Sequence, residues 1–424
     1  MHLTAAGKTD VGKSRNHNED FLLFEPELGL YVVCDGMGGH AAGEVASKTA
    51  AETIRGYLIQ HKDKIDGFDG SDGQINDIAQ IFRRAVESAS QAVFDLASQG
   101  HGRHGMGTTC TAMLAVGGKG IMAHVGDSRL YMLRDKVLYQ LSEDHTYLAE
   151  AVKHGMMTAE QAAQSPYSHM ITRGVGVQSS VYVDLFVFDV VANDTYLLCS
   201  DGLHQYYEDR MELASSLASQ DVNELTDRLI DTANARGGGD NITALVLRAN
   251  EGEAKDRARA DAITSDLQTL RYIGLFIDLD MRELMVVLNA FKPAHFDAGQ
   301  AVIHEGGTDE SLFVIVQGDL EVQRSGKRVA RLHAGSHFGE MALLSRRPRS
   351  ASVVAATDVR LLRMERSAFN QLIKTEPEVG VKFLWKLSQI LSLRLDEVYV
   401  VAGTQDNERK TIEIDALSPF RRKL

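Results

Sequence analysis

Residues 31–40 read YVVCDGMGGH, an apolar strand-like run that stops at Asp35-Gly36. The same construction returns at 196–203 as YLLCSDGL, which stops at Asp201-Gly202. A third segment, GGGDNITALVL at 237–247, sets Asp240-Asn241 immediately before a strand-like run. A fourth, HVGDSRLYML at 124–133, places Asp127 between two such runs. Carboxylates at strand ends are held rigidly while facing a solvent-accessible cleft, and several of them converging repel one another unless a cation intervenes. Hard oxygen donors without paired His or Cys spacing suit Mg²⁺ or Mn²⁺ better than zinc. A Gly after the Asp lets backbone approach closely. Taken singly, Asp-Gly is a common hairpin turn. Four such segments, with RNHNED at 15–20, point instead to one site.

Around these segments, residues 1–250 alternate strand-length apolar runs with helical stretches from Gly43 to about Gln60 and from Ile75 to about Ser98. The runs are continuous rather than alternating, so the sheets should be covered on both faces. The expected class is α+β, a central β-sandwich flanked by helical layers. Residues 251–264 are charged, rich in Ala and helix-prone, and read as a linker. From 265 to 401 the spacing predicts an amphipathic helix, short strands separated by Gly turns, and a closing helix. That pattern reads as a β-jelly-roll with flanking helices. Residues 402–424 read as a polar, flexible tail.

The chain of 424 residues, 44% hydrophobic and 24% charged, suffices for two or three packed domains and excludes wholesale disorder. No run approaches the roughly 18 apolar residues of a membrane helix, and the start, MHLTAAGKTD, lacks a signal-peptide core. Residues 1–250 carry 33 acids against 20 bases, whereas 251–424 carry 25 of each. So acidic a first half argues against nucleic acid as its ligand. Cys34, Cys110 and Cys199 sit in or beside strand-like runs and read as buried thiols of a reducing cytosol.

The ordered series KSRNHNEDFLL, VVCDGMGGHAAGEVAS, GMGTTCTAML, AHVGDSRLYML, LSEDHTYL, ITRGVG, LLCSDGL and GGGDNITALVL resembles the metal-dependent protein phosphatases of type 2C in their bacterial form. The resemblance spans residues 5–248. It implies two Mn²⁺ or Mg²⁺ ions, with Asp35 bridging and Gly36 offering its carbonyl. It also implies Asp20 near one metal, Asp201 and Asp240 on the other, and Asp127 with Asp201 at a third, weaker one. Arg15 matches the phosphate-binding arginine, whose fork grips two phosphate oxygens. His40 is a candidate proton donor to the leaving alkoxide, and Glu19 a candidate for orienting water. The stretch from Tyr147 to His169 matches a segment that shapes substrate access.

HFGEMALLSRRPRSASVVAA, at 337–356, has its own logic. Gly339, Glu340, Met341 and Ala342 would open a short helix whose N–H groups suit a phosphate. Arg349 can neutralise that phosphate, Ser350 adds a hydroxyl, and Glu340 can accept from a sugar hydroxyl. With FDAGQAVIHEGG and SLFVIVQGDLEV, residues 265–401 resemble the cyclic-nucleotide-binding domain of catabolite-activator and cyclic-nucleotide-dependent kinase regulatory proteins. The resemblance implies cAMP or cGMP as ligand, and Ser350 in place of Thr leans toward cAMP. Leu391, Arg394 or Leu395 would cap the base. The expected protein is a cytoplasmic phosphoserine/phosphothreonine phosphatase acting on phosphoproteins and regulated by a cyclic nucleotide, free of nucleic acid and membrane. Two alternatives stay open: an inactive phosphatase fold serving as a cAMP-responsive binding module, and an active enzyme whose barrel only makes a homodimer.

Overall fold

Strand pleating decides which carboxylates share a face. In the strand Leu30–Met37, Leu30, Val32 and Cys34 pack into the core formed with helices Ala42–Gln60 and Asp72–Gln99. Successive side chains of a strand alternate, so Tyr31, Val33 and Asp35 point to the opposite face. The neighbouring strand Asp20–Glu25 pairs antiparallel in a register that sets Asp20 directly opposite Asp35.

The computed structural model describes residues 2–403 except 39–41, 100–104, 164, 166, 168, 169, 208, 219, 220 and 253. These residues fall into two compact units, Met1–Ala260 and Asp261–Leu424. The first unit is the expected α+β sandwich. One sheet runs in the order Asp20–Glu25, Leu30–Met37, Cys110–Val116, Lys119–Val125, Asp184–Asp189, with Gly107–Thr108 beside the second strand. The other runs Leu3–Asp10, Ile242–Ala249, Thr195–Cys199, Arg129–Arg134, Val137–Gln140. Its outer face carries Leu197, Cys199, Ala244 and Val246 against helix Val222–Ala235, which Asp221 caps by accepting from the N–H groups of Asn223 and Glu224. Both faces of both sheets are thus covered, as the continuous apolar runs predicted.

The second unit folds two four-stranded antiparallel sheets into a jelly roll. One sheet is Lys292–Phe296, Val359–Glu365, Ser311–Gln317 and His337–Phe338. The other is Ala301–Ile303, Ser352–Ala355, Leu320–Arg324 and Lys327–Leu332. Helix Met281–Asn289 starts with a reciprocal capping box between Asp280 and Glu283. Phe276 packs edge-on against Phe291 and Phe383, with ring centroids 6.1 and 5.2 Å apart. The charged segment expected as a linker is helical from Ala254, and that helix runs on to Tyr272. Of the expected tail, residues 404–424 lie outside the described residues.

Candidate functional sites

Asp20 and Asp35 lie side by side at the end of one sheet, and Asp201 and Asp240 come from the other. Asp201 opens the short helix Asp201–His204 directly after the strand Thr195–Cys199. Asp240 lies two residues before the strand Ile242–Ala249. Asp127 follows the strand Lys119–Val125. The sandwich therefore gathers all five predicted carboxylates at one end. Their electrostatics reflects that convergence. Burial first, and then repulsion from Asp20, Asp201, Asp127 and Asp240, drives the Asp35 carboxyl well above its usual range. Asp20 and Asp127 are each pushed up to about 7, again by burial first and by neighbouring carboxylates next.

Asp20 is almost wholly buried, and its Oδ2 accepts from Ser200 Oγ at 2.7 Å and Thr243 Oγ1 at 2.6 Å. Its Oδ1 is buried with no hydrogen-bond partner. Orphaned carboxylate oxygen beside mutually repelling carboxylates is the donor set a hard divalent cation satisfies. The chemistry of these donors therefore suits Mn²⁺ or Mg²⁺. Gly36 belongs to the same construction. A Cβ there would lie 2.2 Å from the Gly43 carbonyl oxygen and 2.5 Å from that of Glu19, so only Gly permits the approach.

Arg15 is where the structure departs from the simplest expectation. Its Nη2 donates to Asp240 Oδ2 at 2.9 Å, and its Nε lies 2.9 Å from Oδ1. The guanidinium fork thus sits on a carboxylate predicted to hold metal. Among the described residues no three His, Cys, Asp or Glu side chains share one cation-sized point. Arg15 and Asp240 are half-exposed at 52% and 32%, so this pair contributes little. His40 lies outside the described residues, as does His169 of the stretch expected to shape substrate access. Glu19, expected to orient water, has its carboxyl raised by burial and stands against the backbone of Gly43.

Asn241 was singled out only as a neighbour of Asp240. Its Nδ2 donates to the carbonyls of Val11 at 3.0 Å and His17 at 2.9 Å, and its Oδ1 accepts from Glu19 N–H at 2.8 Å. One side chain thus pins both ends of the loop that carries Arg15. A buried amide with donors and acceptor all used was legible only as "Asn after Asp"; its partners were not.

The convergence carries a testable consequence for the chelated, metal-free protein. Asp20 and Asp127 have folded-state values near 7, above the unfolded value of 3.8, so the folded state binds more protons between those limits. Lowering pH from about 8 to about 7, above the range in which His124, His204 and His337, kept neutral by burial, act the other way, should therefore raise the unfolding temperature, at about 2–4 °C per kcal/mol for a domain of this size. Saturating Mn²⁺ should remove that gain. A chelated protein whose unfolding temperature falls over the same interval would contradict the clustering.

In the second unit, Arg349 is nearly buried. It pairs with Asp309 and donates to the carbonyls of Ser311 at 2.6 Å and Gly339 at 3.2 Å. Its Nε is buried without a partner, as are both ring nitrogens of His337, whose pKa burial pushes down to about 4. Gly339 adopts φ +82°, and a Cβ there would lie 2.7 Å from Ser311 O and 2.9 Å from Arg349 Nη1. Glu340 is buried and paired with Arg394 of the closing helix. Arg394, one of three guesses for a base cap, is thus set on the carboxylate expected to take the ribose. The expected phosphate donor at Ala342 is already engaged, its N–H donating to Gly339 O at 3.0 Å. The four-residue helix Met341–Leu344 closes as a tight turn and uses the donor that a longer helix would leave open. Met341 and Ser350 are exposed.

The geometry agrees with comparisons to known proteins. The family model for protein phosphatase 2C matches residues 13–245. The chain belongs to the protein phosphatase 2C family. It is a phosphatase by that membership, and its second unit matches the cyclic nucleotide-binding domain over residues 293–376. A serine/threonine phosphatase stp of Listeria welshimeri is 34% identical over 254 residues, 59% of this chain and 96% of that protein. Protein phosphatase PhpP of Streptococcus pneumoniae is 30% identical over 251 residues, 58% and 98% of the two chains. The serine/threonine phosphatase PstP/Ppp of Mycobacterium tuberculosis superposes with TM-score 0.53 at 33% identity, covering 59% of this phosphatase and all of that chain. A PstP catalytic domain in complex with two manganese ions gives TM-score 0.51 at 33% identity, covering 59% and 99%.

Proposed function

We propose that the chain is a cytoplasmic, metal-dependent phosphoserine/phosphothreonine phosphatase whose rate is set by a cyclic nucleotide, cAMP in preference to cGMP, held in the second unit. Residues 1–250 form the catalytic domain, 251–264 the linker and 265–401 the sensor. The observation that carries the reading is the convergence of Asp20, Asp35, Asp127, Asp201 and Asp240 at one end of the sandwich, with Asp20 Oδ1 unsatisfied. Asp35, Gly36, Asp201 and Asp240 would hold two divalent cations, with Asp20 beside them and Asp127 serving a third. Bound, these cations supply the Lewis acidity that makes water a nucleophile at neutral pH and offsets phosphate charge.

The chain's own residues do the rest. Arg15 leaves Asp240 and takes two phosphate oxygens, a geometry its fork matches and a lysine cannot. Asn241 holds the Arg15 loop in place, and Ser200 and Thr243 fix Asp20. No protein nucleophile is required. In the sensor, Glu340 accepts from a ribose hydroxyl, and Arg349 and Ser350 take the cyclic phosphate. The unpartnered Arg349 Nε and His337 nitrogens support a polar occupant there. Ser350 in place of a Thr leans toward cAMP, as the resemblance implies. Among the described residues no helix is long and apolar enough to cross a membrane.

The test is hydrolysis of a phosphothreonine peptide with Mn²⁺ and with chelator, each with and without cAMP and cGMP. Mn²⁺-dependent turnover that cAMP changes by about 5- to 150-fold, the span of typical coupling energies, is the expected result. Turnover indifferent to chelator would overturn the metal reading. Turnover indifferent to both nucleotides would overturn the regulatory one.

A further inference from the structure

His145 lies 18 residues along the chain from Asp127, and its ring touches the turn that carries that carboxylate. The Gly126 N–H donates to His145 Nδ1 at 3.0 Å, and the His145 N–H donates back to Gly126 O at 2.8 Å. Gly126 immediately precedes Asp127 and adopts φ +111°, where no other residue sits without strain. A Cβ there would lie 2.6 Å from the Thr109 side chain. Because Nδ1 accepts, the ring proton lies on Nε2, which faces Asp184 Oδ2 at 3.0 Å and donates to it. Asp184 is itself gripped by Arg173, whose Nη1 donates to Oδ1 at 2.7 Å. Burial acts upward on the Asp184 carboxyl, yet its bonds from His145 and Arg173 hold it below the usual carboxylate range.

The same residue ties down the segment beyond it. The Thr172 N–H donates to His145 O at 2.8 Å, and Thr146 caps helix Tyr147–Lys153 by accepting from Ala149 N–H at 3.1 Å. The ring is 1% exposed and packs against His124 with centroids 4.7 Å apart. A buried imidazole with both nitrogens committed has one rotamer and one tautomer available. It therefore fixes the Gly126 peptide, and with it the direction in which Asp127 leaves the sheet.

We infer that His145 is a positioning residue for Asp127, holding the Gly126–Asp127 turn in the conformation that presents the carboxylate to a divalent cation, with Asp184 and Arg173 fixing the imidazole. The inference rests on the assignment of Asp127 to a third metal. Groups that orient a ligand from behind commonly carry about 10- to 100-fold in metal affinity or activity. The effect should follow the Nδ1 acceptor specifically. Asn in place of His sets an amide oxygen near the Nδ1 position, whereas Gln reaches toward Asp184 and leaves Gly126 N–H without an acceptor.

The experiment is a Mn²⁺ titration of the full chain followed by the electron paramagnetic resonance signal of free Mn²⁺, with kcat and KM measured in parallel. His145→Ala and His145→Gln should weaken the weakest class of Mn²⁺ by about 10-fold or more and lower kcat by about 10- to 100-fold, leaving the tight class unchanged. His145→Asn should stay within about 3-fold of wild type. Asp127→Asn should remove the weakest class outright. Folded His145→Ala with a wild-type isotherm overturns the inference, leaving the assignment of Asp127 standing. If His145→Ala does not fold, identical isotherms for the Asn and Gln variants overturn it equally. An isotherm that Asp127→Asn leaves unchanged removes the Asp127 assignment, and the role of His145 falls with it.

Discussion

Asp240→Asn and Asp201→Asn are each expected to leave a folded chain with Mn²⁺-dependent turnover reduced by at least about 10³-fold, since each removes one anionic ligand from the site. The stability result should run against intuition. Asp240→Asn breaks its pair with Arg15, but that pair is half-exposed and contributes little, about 0–1 kcal/mol. Removing one of several carboxylates that repel Asp35 acts in the opposite direction. The chelated variants should therefore unfold at the same temperature as the chelated wild type or above it, while losing the stabilisation that Mn²⁺ confers on wild type. Scanning calorimetry with and without Mn²⁺, beside the peptide assay, reads both quantities. Turnover near wild type in both variants would remove these residues from the site. A collapse of the chelated variants' stability would mean that the carboxylates serve the fold rather than a metal.

Arg349→Ala should abolish the response to cyclic nucleotide while leaving basal Mn²⁺-dependent hydrolysis of the peptide intact. Removing one partner of a buried, charge-assisted contact costs about 2–5 kcal/mol, so cAMP affinity should fall by about 30-fold or more. Arg349 also braces Asp309 and the carbonyls of Ser311 and Gly339. Arg349→Lys is therefore the companion variant, keeping charge and bulk but not the fork. Both should weaken cAMP in titration calorimetry, the Lys variant less. Undiminished cAMP affinity in the Lys and Ala variants would place the nucleotide elsewhere. Intact binding with lost regulation would show that Arg349 transmits the signal rather than holding the ligand.

The amino-acid sequence by itself determined the element types, the covered sandwich and the places where carboxylates end strands. Those features depend on local signals: the continuous apolar run before Asp35, the Gly that follows it, the period of helix Asp72–Gln99. The order of the motifs was enough to name the family. Tertiary structure alone decided which charge meets which. Arg15 and Asp240 are 225 residues apart. Their pairing exists because the strands Leu3–Asp10 and Ile242–Ala249 lie antiparallel, with Asp10 opposite Ile242, which sets the loop after the first strand beside the loop before the second. Arg394 reaches Glu340, and His145 reaches both Gly126 and Asp184, by the same route of strand register and helix docking. Side-chain partners across such distances leave no periodic trace in sequence. Their attraction acts only after the hydrophobic faces have fixed the backbone, so a residue's type was legible at residue 15, 145 or 394 and its partner was not.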